Sequence, residues 1–393
     1  MTTLISFLGK AKAGYSPANY VFEHGFKRTV PYFGMALLEH LKPQKLILAG
    51  TSGSMWDVFF DHQQTDDDGL LALIEAVPRQ AVTAEILAIH EQRLTEKLGI
   101  PVQCLLIPYA RNDAEQTAIL TDLSGALGEG ENIVLDVTHG FRHLPMLALV
   151  AARYLQRVRG VQVQEVYYGA LEMTDAHTKE TPVLRLAGML QMLDWVEGLA
   201  TYDNSGNYGV FAPLLQRDGM DEKRAALLAQ GAFFERNSNP MQAKQALTGA
   251  LNHVREHVGP LGNLFRDKLA EHIGWFRRGN RHDWELALAD RYLSRQDYLR
   301  AVTYLYESFV SRAVWDERGD PSEYAHRESA RKNAEKNGDL KLLTYLRNAM
   351  VHGVRTDDSY YDRKIKDEVQ RLLQDQKALD ARLYQLRKTL FKP

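Results

Sequence analysis

Short apolar runs alternate with helical patterns in the first half of the chain. Five runs, each followed by a glycine, a proline or an aspartate, are predicted to be buried strands, at residues 3–8, 45–49, 102–107, 132–135 and 163–168. Four segments between them have helical spacing, at residues 32–41, 70–98, 113–127 and 144–158. Strands separated by helices indicate a parallel-rich sheet with both faces covered, so residues 1–185 are predicted to form a doubly wound α/β domain.

The second half of the chain has a different pattern. From residue 188 onward no stretch is convincing as a strand. Seven long amphipathic segments follow one another instead, at residues 189–200, 223–235, 241–258, 284–292, 297–312, 340–351 and 367–390. This pattern predicts an all-α domain over residues 216–393, with residues 186–215 as a helical linker.

Composition narrows the possible functions. With 393 residues the chain is long enough for two domains. Its 48 Lys and Arg against 50 Asp and Glu exclude nucleic-acid binding through bulk positive charge, so any such site must be local. The single cysteine, Cys104, excludes a disulfide framework and cysteine-based zinc sites. The first apolar stretch is too short for a signal peptide or a membrane span, so a cytoplasmic protein is expected.

Small polar residues follow three of the predicted strands. Ligands of doubly wound sheets bind beyond the carboxyl ends of the strands, where free N–H groups, hydroxyls and cations suit phosphates and nucleotides. The candidate ligand-binding residues in these loops are Gly9, Lys10, Gly50, Thr51, Ser52, Gly53, Ser54, Asp136, Thr138, His139, Gly140 and Arg142. The loops could equally be polar strand-to-helix turns whose hydroxyls cap helices, and the two interpretations are compatible.

Common nucleotide and metal motifs are absent from these loops or incomplete. No G-x-x-x-x-G-K-[ST] occurs, and no G-x-G-x-x-G follows a strand, which argues against an ATPase phosphate loop and a dinucleotide-dependent oxidoreductase. Asp136, His139 and His143 have a spacing that could hold a metal on a helix. Gly140 and Pro145 favour a loop there instead. A metal-dependent phosphodiesterase built on those three residues stays an alternative.

Two of the loops resemble those of a known family. The stretch Asp136-Val-Thr-His-Gly-Phe-Arg-His-Leu-Pro-Met resembles the DxTHG signature of CRISPR-associated proteins with a CARF domain, and Gly50-Thr-Ser-Gly-Ser-Met-Trp-Asp resembles their second conserved loop. The resemblance implies a Rossmann-like CARF domain that binds a cyclic oligoadenylate, the tetra-adenylate being favoured, and a C-terminal all-α HEPN ribonuclease domain of type III CRISPR defence. It also implies a homodimer or higher homo-oligomer. Residues 186–215, which lie between the two halves of the chain, are expected to transmit the signal.

HEPN ribonucleases carry an R-x4-H motif, and the segment from Arg347 to His352 fits it. An apolar stripe at helical spacing and Gly353 directly afterwards predict a helix that ends at His352. Metal-independent cleavage of single-stranded RNA needs an imidazole to move protons and a guanidinium to stabilise the phosphate, and Asn348 is spaced to orient the imidazole. We predict Arg347, Asn348 and His352 as catalytic residues, two sets of which would meet in a dimer.

Two further points about the second half stay open. Arg347 could form a salt bridge and His352 could cap the helix end, in which case the chain would be a non-catalytic sensor of cyclic nucleotides. A second R-x4-H match, from Arg277 to His282, lies in a highly charged stretch without a helical pattern. It is predicted to be a basic loop that contacts RNA phosphates.

Overall fold

The computed structural model describes residues 1–10, 16–64, 67–140, 143–334, 337–353 and 363–391. The chain divides into two units, Met1–Gln191 and Met192–Pro393, which we call the α/β unit and the helical unit. All strands of the described residues lie in the α/β unit, and the helical unit consists of helices and their connections. A largely parallel sheet followed by an all-helical region is the architecture that the periodicity predicts.

Eight strands form one sheet in the α/β unit. They are β1 Thr2–Leu8, β2 Ala18–Val21, β3 Lys27–Val30, β4 Lys45–Gly50, β5 Val102–Leu106, β6 Asn132–Asp136, β7 Gln162–Gly169 and β8 Glu180–Arg185. Their order across the sheet is β3-β2-β8-β7-β6-β1-β4-β5. The strands from β7 to β5 are parallel to one another, and they are the five that the apolar runs predict.

The three remaining strands, β2, β3 and β8, form one edge of the sheet and are not predicted by the sequence pattern. Two of their pairings are antiparallel, β7 with β8 and β2 with β3. Lys27, Arg28 and Thr29 in β3 are all exposed, so no apolar run marks this strand. Strands of this kind form because a neighbouring backbone completes their hydrogen bonds, which periodicity alone does not reveal.

Six helices connect the strands of the α/β unit. They are α1 Phe33–Leu41, α2 Trp56–Gln63, α3 Asp67–Ala76, α4 Ala84–Leu98, α5 Asp113–Gly125 and α6 Leu144–Val158. The helix expected over residues 70–98 is two helices, because Pro78 lies between them and Thr83 caps α4 by accepting from the Ile86 N–H. Helix α2 is not predicted, since it follows directly from the polar loop after β4.

Eleven helices make up the rest of the described chain. They are α7 Ala187–Ser205, α8 Ala212–Arg217, α9 Glu222–Arg236, α10 Pro240–Glu256, α11 Gly262–Ile273, α12 Arg281–Ser294, α13 Tyr298–Asp316, α14 Tyr324–Asn333, α15 Gly338–His352, α16 Arg363–Gln374 and α17 Gln376–Leu390. The pattern over residues 367–390 is divided by Asp375, whose carboxylate caps α17 by accepting from the Ala378 N–H at 3.1 Å. No described helix is long and apolar enough to cross a membrane.

Helix α15 is fixed in the helical unit by its leucine face. Leu343 and Leu346 are completely buried and belong to the same apolar core as Val302 and Leu305 of α13. Burying a leucine side chain stabilises a fold by about 1.5–3 kcal/mol, so this face determines how the helix is rotated. The predicted apolar stripe is confirmed, and Asn348 and His352 of α15 are exposed.

Candidate functional site

The carboxyl ends of β1 and β6 form the switch point of the parallel sheet. Chain order runs from β1 through β4 to β5 on one side and returns through β6 to β7 on the other, so the crevice lies between β1 and β6. The loops that follow them touch, because a Cβ atom at Gly9 would lie 1.7 Å from the His139 carbonyl oxygen. The Met55 N–H donates to the Gly9 carbonyl at 2.9 Å. Three of the predicted ligand loops therefore meet at this point.

The loop after β4 is held by its own hydroxyls. Ser54 Oγ donates to the Leu8 carbonyl at 2.8 Å and accepts from the Thr51 N–H at 2.9 Å. The Trp56 indole N–H donates to the Thr51 carbonyl at 2.9 Å. Thr51 and Ser54 are buried whereas Ser52 is partly exposed, so Ser52 is the hydroxyl of this loop that a ligand can reach.

Both glycines of the loop after β4 are required by close packing. A Cβ atom at Gly50 would lie 2.7 Å from Trp56 Cζ2, and one at Gly53 would lie 2.4 Å from the Tyr109 hydroxyl. Their role in the structure is thus to let aromatic side chains approach the loop. The loop still presents a closely packed backbone at the edge of the crevice.

Asp136 is completely buried and does not reach the crevice surface. Its carboxylate accepts from the Ser6 hydroxyl and, at 2.9 Å, from the Thr138 N–H. Desolvation by burial raises its pKa to about 6, and the hydrogen bonds from Ser6 and Thr138 partly oppose that shift. The side chain that the sequence predicts to contact a ligand is instead bonded within the turn after β6.

His139 also has an internal role. Its Nε2 accepts from the Phe33 N–H at the start of α1 at 3.0 Å, and its ring stacks on Tyr32 at 4.9 Å between centroids. Burial lowers its pKa to about 3, so the ring is neutral at physiological pH. The imidazole is therefore unsuited to pair with a phosphate, although its backbone lies in the crevice.

The other predicted ligand residues have mixed positions. Lys10 is exposed and Gly140 is partly exposed, whereas the Thr138 hydroxyl accepts from the Gly169 N–H at 2.8 Å. Arg142 lies outside the described residues. Tyr109 is not among the predicted ligand-binding residues, yet its hydroxyl lies 3.5 Å from Ser52 Oγ. Tyr109 follows the carboxyl end of β5, just as the other candidates follow the ends of their strands. That position is the sequence signal that could have identified it.

The three residues that could hold a metal ion according to their spacing each have a different hydrogen-bond partner. His143 Nε2 lies 2.9 Å from the Tyr109 carbonyl oxygen, whereas His139 is bonded to Phe33 and Asp136 to Ser6. Within the described residues, no three His, Cys, Asp or Glu side chains form a group that could hold a metal ion. These separate hydrogen bonds argue against a single metal ion that is shared by Asp136, His139 and His143.

Replacement of Asp136 by asparagine is expected to make the stability of the protein more sensitive to acid. The native pKa of His139 is low, so stability is lost as the pH falls below about 6.5, where the unfolded histidine takes up a proton. The native pKa of Asp136 is raised, so its protonation stabilises the native state over the same range and opposes that loss. Between pH 7 and pH 5, Asp136→Asn should lose about 1 kcal/mol more unfolding free energy than the wild type, since one pKa unit is about 1.4 kcal/mol.

Urea titrations at both pH values measure this effect. The matched control is Asp61→Asn, which changes an exposed aspartate of the same unit and should follow the wild type. Equal acid sensitivity of Asp136→Asn and wild type would contradict the opposing roles of the two buried groups.

In the helical unit, Arg347 is held at the surface by two residues of α13. Its guanidinium carbon lies 4.2 Å from the centre of the Tyr306 ring, and Nη1 lies 3.6 Å from Glu307 Oε1. The side chain remains 29% exposed. A planar guanidinium that is stacked on one face and paired at one edge keeps its other donors available for a phosphate.

His352 and Asn348 lie on the exposed side of α15. The helix ends at His352, as predicted, with Gly353 at a φ of 77° and its N–H donating to the Ala349 carbonyl at 2.8 Å. An exposed imidazole at a helix end can reach a ligand in solution. The three predicted catalytic residues thus lie on one helix, with two of them exposed and one partly exposed.

The second R-x4-H match is not a continuous loop. Arg277 ends a short 3₁₀ turn, and Asn280 caps α12, which begins at Arg281. Arg281 Nε lies 2.8 Å from Glu285 Oε1 one turn further along the helix. The expectation of a loop is wrong for Arg281 and His282, because the capping box of Asn280 starts the helix before them; Arg277 is exposed beside it.

Two comparisons with known proteins show what this chain is similar to. Residues 3–172 match the sequence model of the family described as the CARF domain of the CRISPR system endoribonuclease Csx1. The chain is 23% identical over 228 residues to the CRISPR-associated protein MJ1674 of Methanocaldococcus jannaschii, a match that covers 53% of this chain and 36% of that protein. The chain thus matches about a third of the length of that relative. Residues 3–172 are thus similar to a CARF domain, and the chain is similar to a CRISPR-associated protein.

Proposed function

We propose that the protein is a single-stranded RNA endoribonuclease of type III CRISPR defence that a cyclic oligoadenylate activates. The observation that carries the proposal is the exposed His352 on the same helix as the partly exposed Arg347, in a chain whose residues 3–172 match the CARF domain of a CRISPR endoribonuclease. The α/β unit supplies the messenger site, and α15 supplies the cleavage site.

Cleavage proceeds without a metal ion: the RNA 2′-hydroxyl loses its proton and attacks the adjacent phosphate, which becomes a 2′,3′-cyclic phosphate. The bond from phosphorus to the 5′-oxygen of the next nucleotide breaks, and that oxygen gains a proton and leaves as a 5′-hydroxyl. His352 takes up or delivers the proton in this step, a task that suits an imidazole near neutral pH. Arg347 stabilises the charge that develops on the phosphate oxygens, and Asn348 orients the imidazole from the same face of α15. Glu307 and Tyr306 position the Arg347 guanidinium, as their contacts with it indicate.

The messenger binds at the crevice between β1 and β6. Its phosphates are bound by backbone N–H groups of the three loops and by the exposed Lys10, with Ser52 and Gly140 at the accessible rim. The buried side chains of Asp136 and His139 shape the loops and do not touch the messenger. The resemblance favours the tetra-adenylate, whose two-fold symmetry matches a pair of identical sites.

A second copy of the chain completes both sites, and α6 provides a surface for it. This helix is apolar on two sides: Ala151 and Ala152 are buried in the unit, while Met146 and Val150 are 75% and 56% exposed. Arg153, Gln156 and Arg157 make the second half of α6 polar, so this exposed apolar surface lies in its first half, and such a surface commonly marks a protein–protein contact. We infer that α6 packs against its symmetry mate in a homodimer.

Replacement of Val150 by glutamate is expected to convert the dimer into monomers, because the carboxylate would be desolvated in an apolar interface. Light scattering after size-exclusion chromatography measures the mass. Ile89→Glu is the matched control, since Ile89 is 42% exposed on α4 and should leave the dimer intact. A Val150→Glu protein of unchanged dimeric mass would exclude α6 as the interface.

The direct test of the function is incubation of a labelled single-stranded RNA with the protein, with and without each cyclic oligoadenylate, in the presence of a chelator. Messenger-dependent cleavage that yields 2′,3′-cyclic phosphate ends is the expected result. A DNA of the same sequence should stay intact, because it lacks the attacking hydroxyl. Cleavage that the chelator abolishes would contradict the mechanism.

The ion pair of Arg347 with Glu307 favours an alternative to the ribonuclease, in which the protein is a non-catalytic sensor of cyclic nucleotides. In that case the pair would stabilise the helical unit, which would serve as an interaction module. Tight binding of a cyclic oligoadenylate without any messenger-dependent loss of RNA would identify this alternative.

A further inference from the structure

Arginines of the helices α12, α14 and α15 lie close to one part of α13, and Arg347 is one of them. Glu307, which lies 3.6 Å from Arg347 Nη1, also pairs with Arg327 of α14. Arg327 Nη1 donates to Ser311 Oγ at 3.1 Å, one turn further along α13. The proposed catalytic arginine is thus one member of a larger cationic group.

One residue within the second R-x4-H match, Arg281, belongs to this group. Arg281 of α12 and Arg327 donate to the same backbone oxygen, that of Pro321, at 3.0 and 3.3 Å. Arg331 of α14 lies above the ring of Tyr324, with its guanidinium carbon 5.9 Å from the ring centre. We call Arg281, Arg327, Arg331 and Arg347 the arginine cluster.

Positive charge exceeds negative charge in the direct ion pairs of the arginine cluster. Glu285 forms an ion pair with Arg281, and Glu307 forms ion pairs with both Arg327 and Arg347. Asp320 and Glu328 also interact electrostatically, with Arg281 and Arg331 respectively. Glu285 is completely buried, and burial raises its pKa. In the direct ion pairs the guanidiniums outnumber the carboxylates, which favours binding of an anion to this surface.

Two large aromatic side chains border the arginine cluster and are open to solvent. Trp315 is 51% exposed and Tyr324 is 70% exposed. Trp315 follows Glu307 and Ser311 at intervals of four residues on α13, which places it about 12 Å along the same face of the helix. Its ring centre is 6.2 Å from that of His282, the last residue of the second motif match.

We propose that Trp315 and Tyr324 are base-stacking residues that hold the single-stranded RNA against the arginine cluster. Exposed aromatic rings beside guanidiniums are the combination with which proteins bind single-stranded nucleic acids, because the rings stack on bases while the cations pair with phosphates. The inference rests on the proposed ribonuclease function. It assigns the second R-x4-H match to RNA binding through Arg281, with no part in proton transfer.

The test uses RNA binding and cleavage separately. Fluorescence anisotropy with a labelled RNA is measured in the His352→Ala background, which prevents cleavage during the titration. Trp315→Ala and Tyr324→Ala should each weaken binding by about 5- to 100-fold. With His352 intact, the same changes should raise KM and leave kcat within about threefold, because the rings do not touch the reacting atoms.

Three controls accompany these variants. Trp315→Phe and Tyr324→Phe keep a ring and should keep the RNA affinity within about threefold. Phe233→Ala removes an exposed ring, 63% accessible, from α9 of the same unit and should leave RNA binding unchanged. Thermal unfolding of each variant shows whether the fold is retained.

The outcomes separate this inference from the proposed function. If the wild type cleaves RNA while Trp315→Ala and Tyr324→Ala bind it as tightly as their parent, the stacking surface is wrong and the ribonuclease stands. If no RNA is cleaved but binding depends on both rings, the surface stands and the ribonuclease is wrong. Unchanged RNA affinity with a lower oligomeric mass would show that the rings contact a second copy of the chain, which also overturns the proposal.

Discussion

Replacement of His352 by alanine is expected to lower messenger-activated RNA cleavage by about 100- to 10,000-fold, the usual contribution of a proton-transferring side chain. The imidazole is exposed at the end of α15, so its removal leaves the buried leucine face intact and should not change the fold. Binding of the cyclic oligoadenylate should be unaffected, since its proposed site lies in the other unit. Cleavage of a labelled RNA and calorimetric titration of the messenger measure the two effects separately.

The control for this variant is His62→Ala, which removes an exposed imidazole from α2. His282→Ala addresses the second R-x4-H match directly. Cleavage that survives in His352→Ala but is lost in His282→Ala would move the catalytic histidine to α12. Loss of messenger binding in His352→Ala would point to unfolding and would leave the catalytic assignment without support.

The parts of the fold that follow from neighbouring residues are predictable from sequence. The helix end at His352 is one case, because Gly353 adopts the positive φ that ends the helix one residue later. The turn cap of Asp136 is another, since Thr138 donates to it from only two residues away. The five parallel strands belong to the same class, because an uninterrupted apolar run is itself the signal of a strand buried on both faces.

The roles that depend on distant parts of the chain are not predictable in this way. His139 accepts from Phe33, which is 106 residues away in sequence, and this contact makes the ring a structural acceptor. The pairing of Arg347 with Glu307 is of the same kind, because α13 and α15 are brought together only by the leucine core. A spacing rule identifies the residue types of a site, whereas packing decides which of their side chains remain available.

Replacement of Gly9 by alanine is expected to abolish activation at messenger concentrations that saturate the wild type. The added Cβ atom would lie 1.7 Å from the His139 carbonyl oxygen, a backbone atom that cannot move without displacing the loop after β6. Overpacking of this size destabilises by about 1–3 kcal/mol, and each lost hydrogen bond to a phosphate weakens binding by about 10- to 100-fold. Titration of the messenger by calorimetry measures the affinity, and RNA cleavage at increasing messenger concentration measures the activation.

Gly125→Ala is the matched control for Gly9→Ala, because its Cβ would meet no atom within 4 Å. It lies in α5, where alanine is favoured over glycine by about 1 kcal/mol, so the protein should be slightly stabilised and fully activated. Activation of Gly9→Ala that recovers fully at high messenger concentration would show that the change acts on the binding site, because a globally unfolded protein would not recover. Wild-type messenger affinity in Gly9→Ala would mean that the crevice between β1 and β6 is not the binding site, and the messenger would then have to bind at another part of the α/β unit.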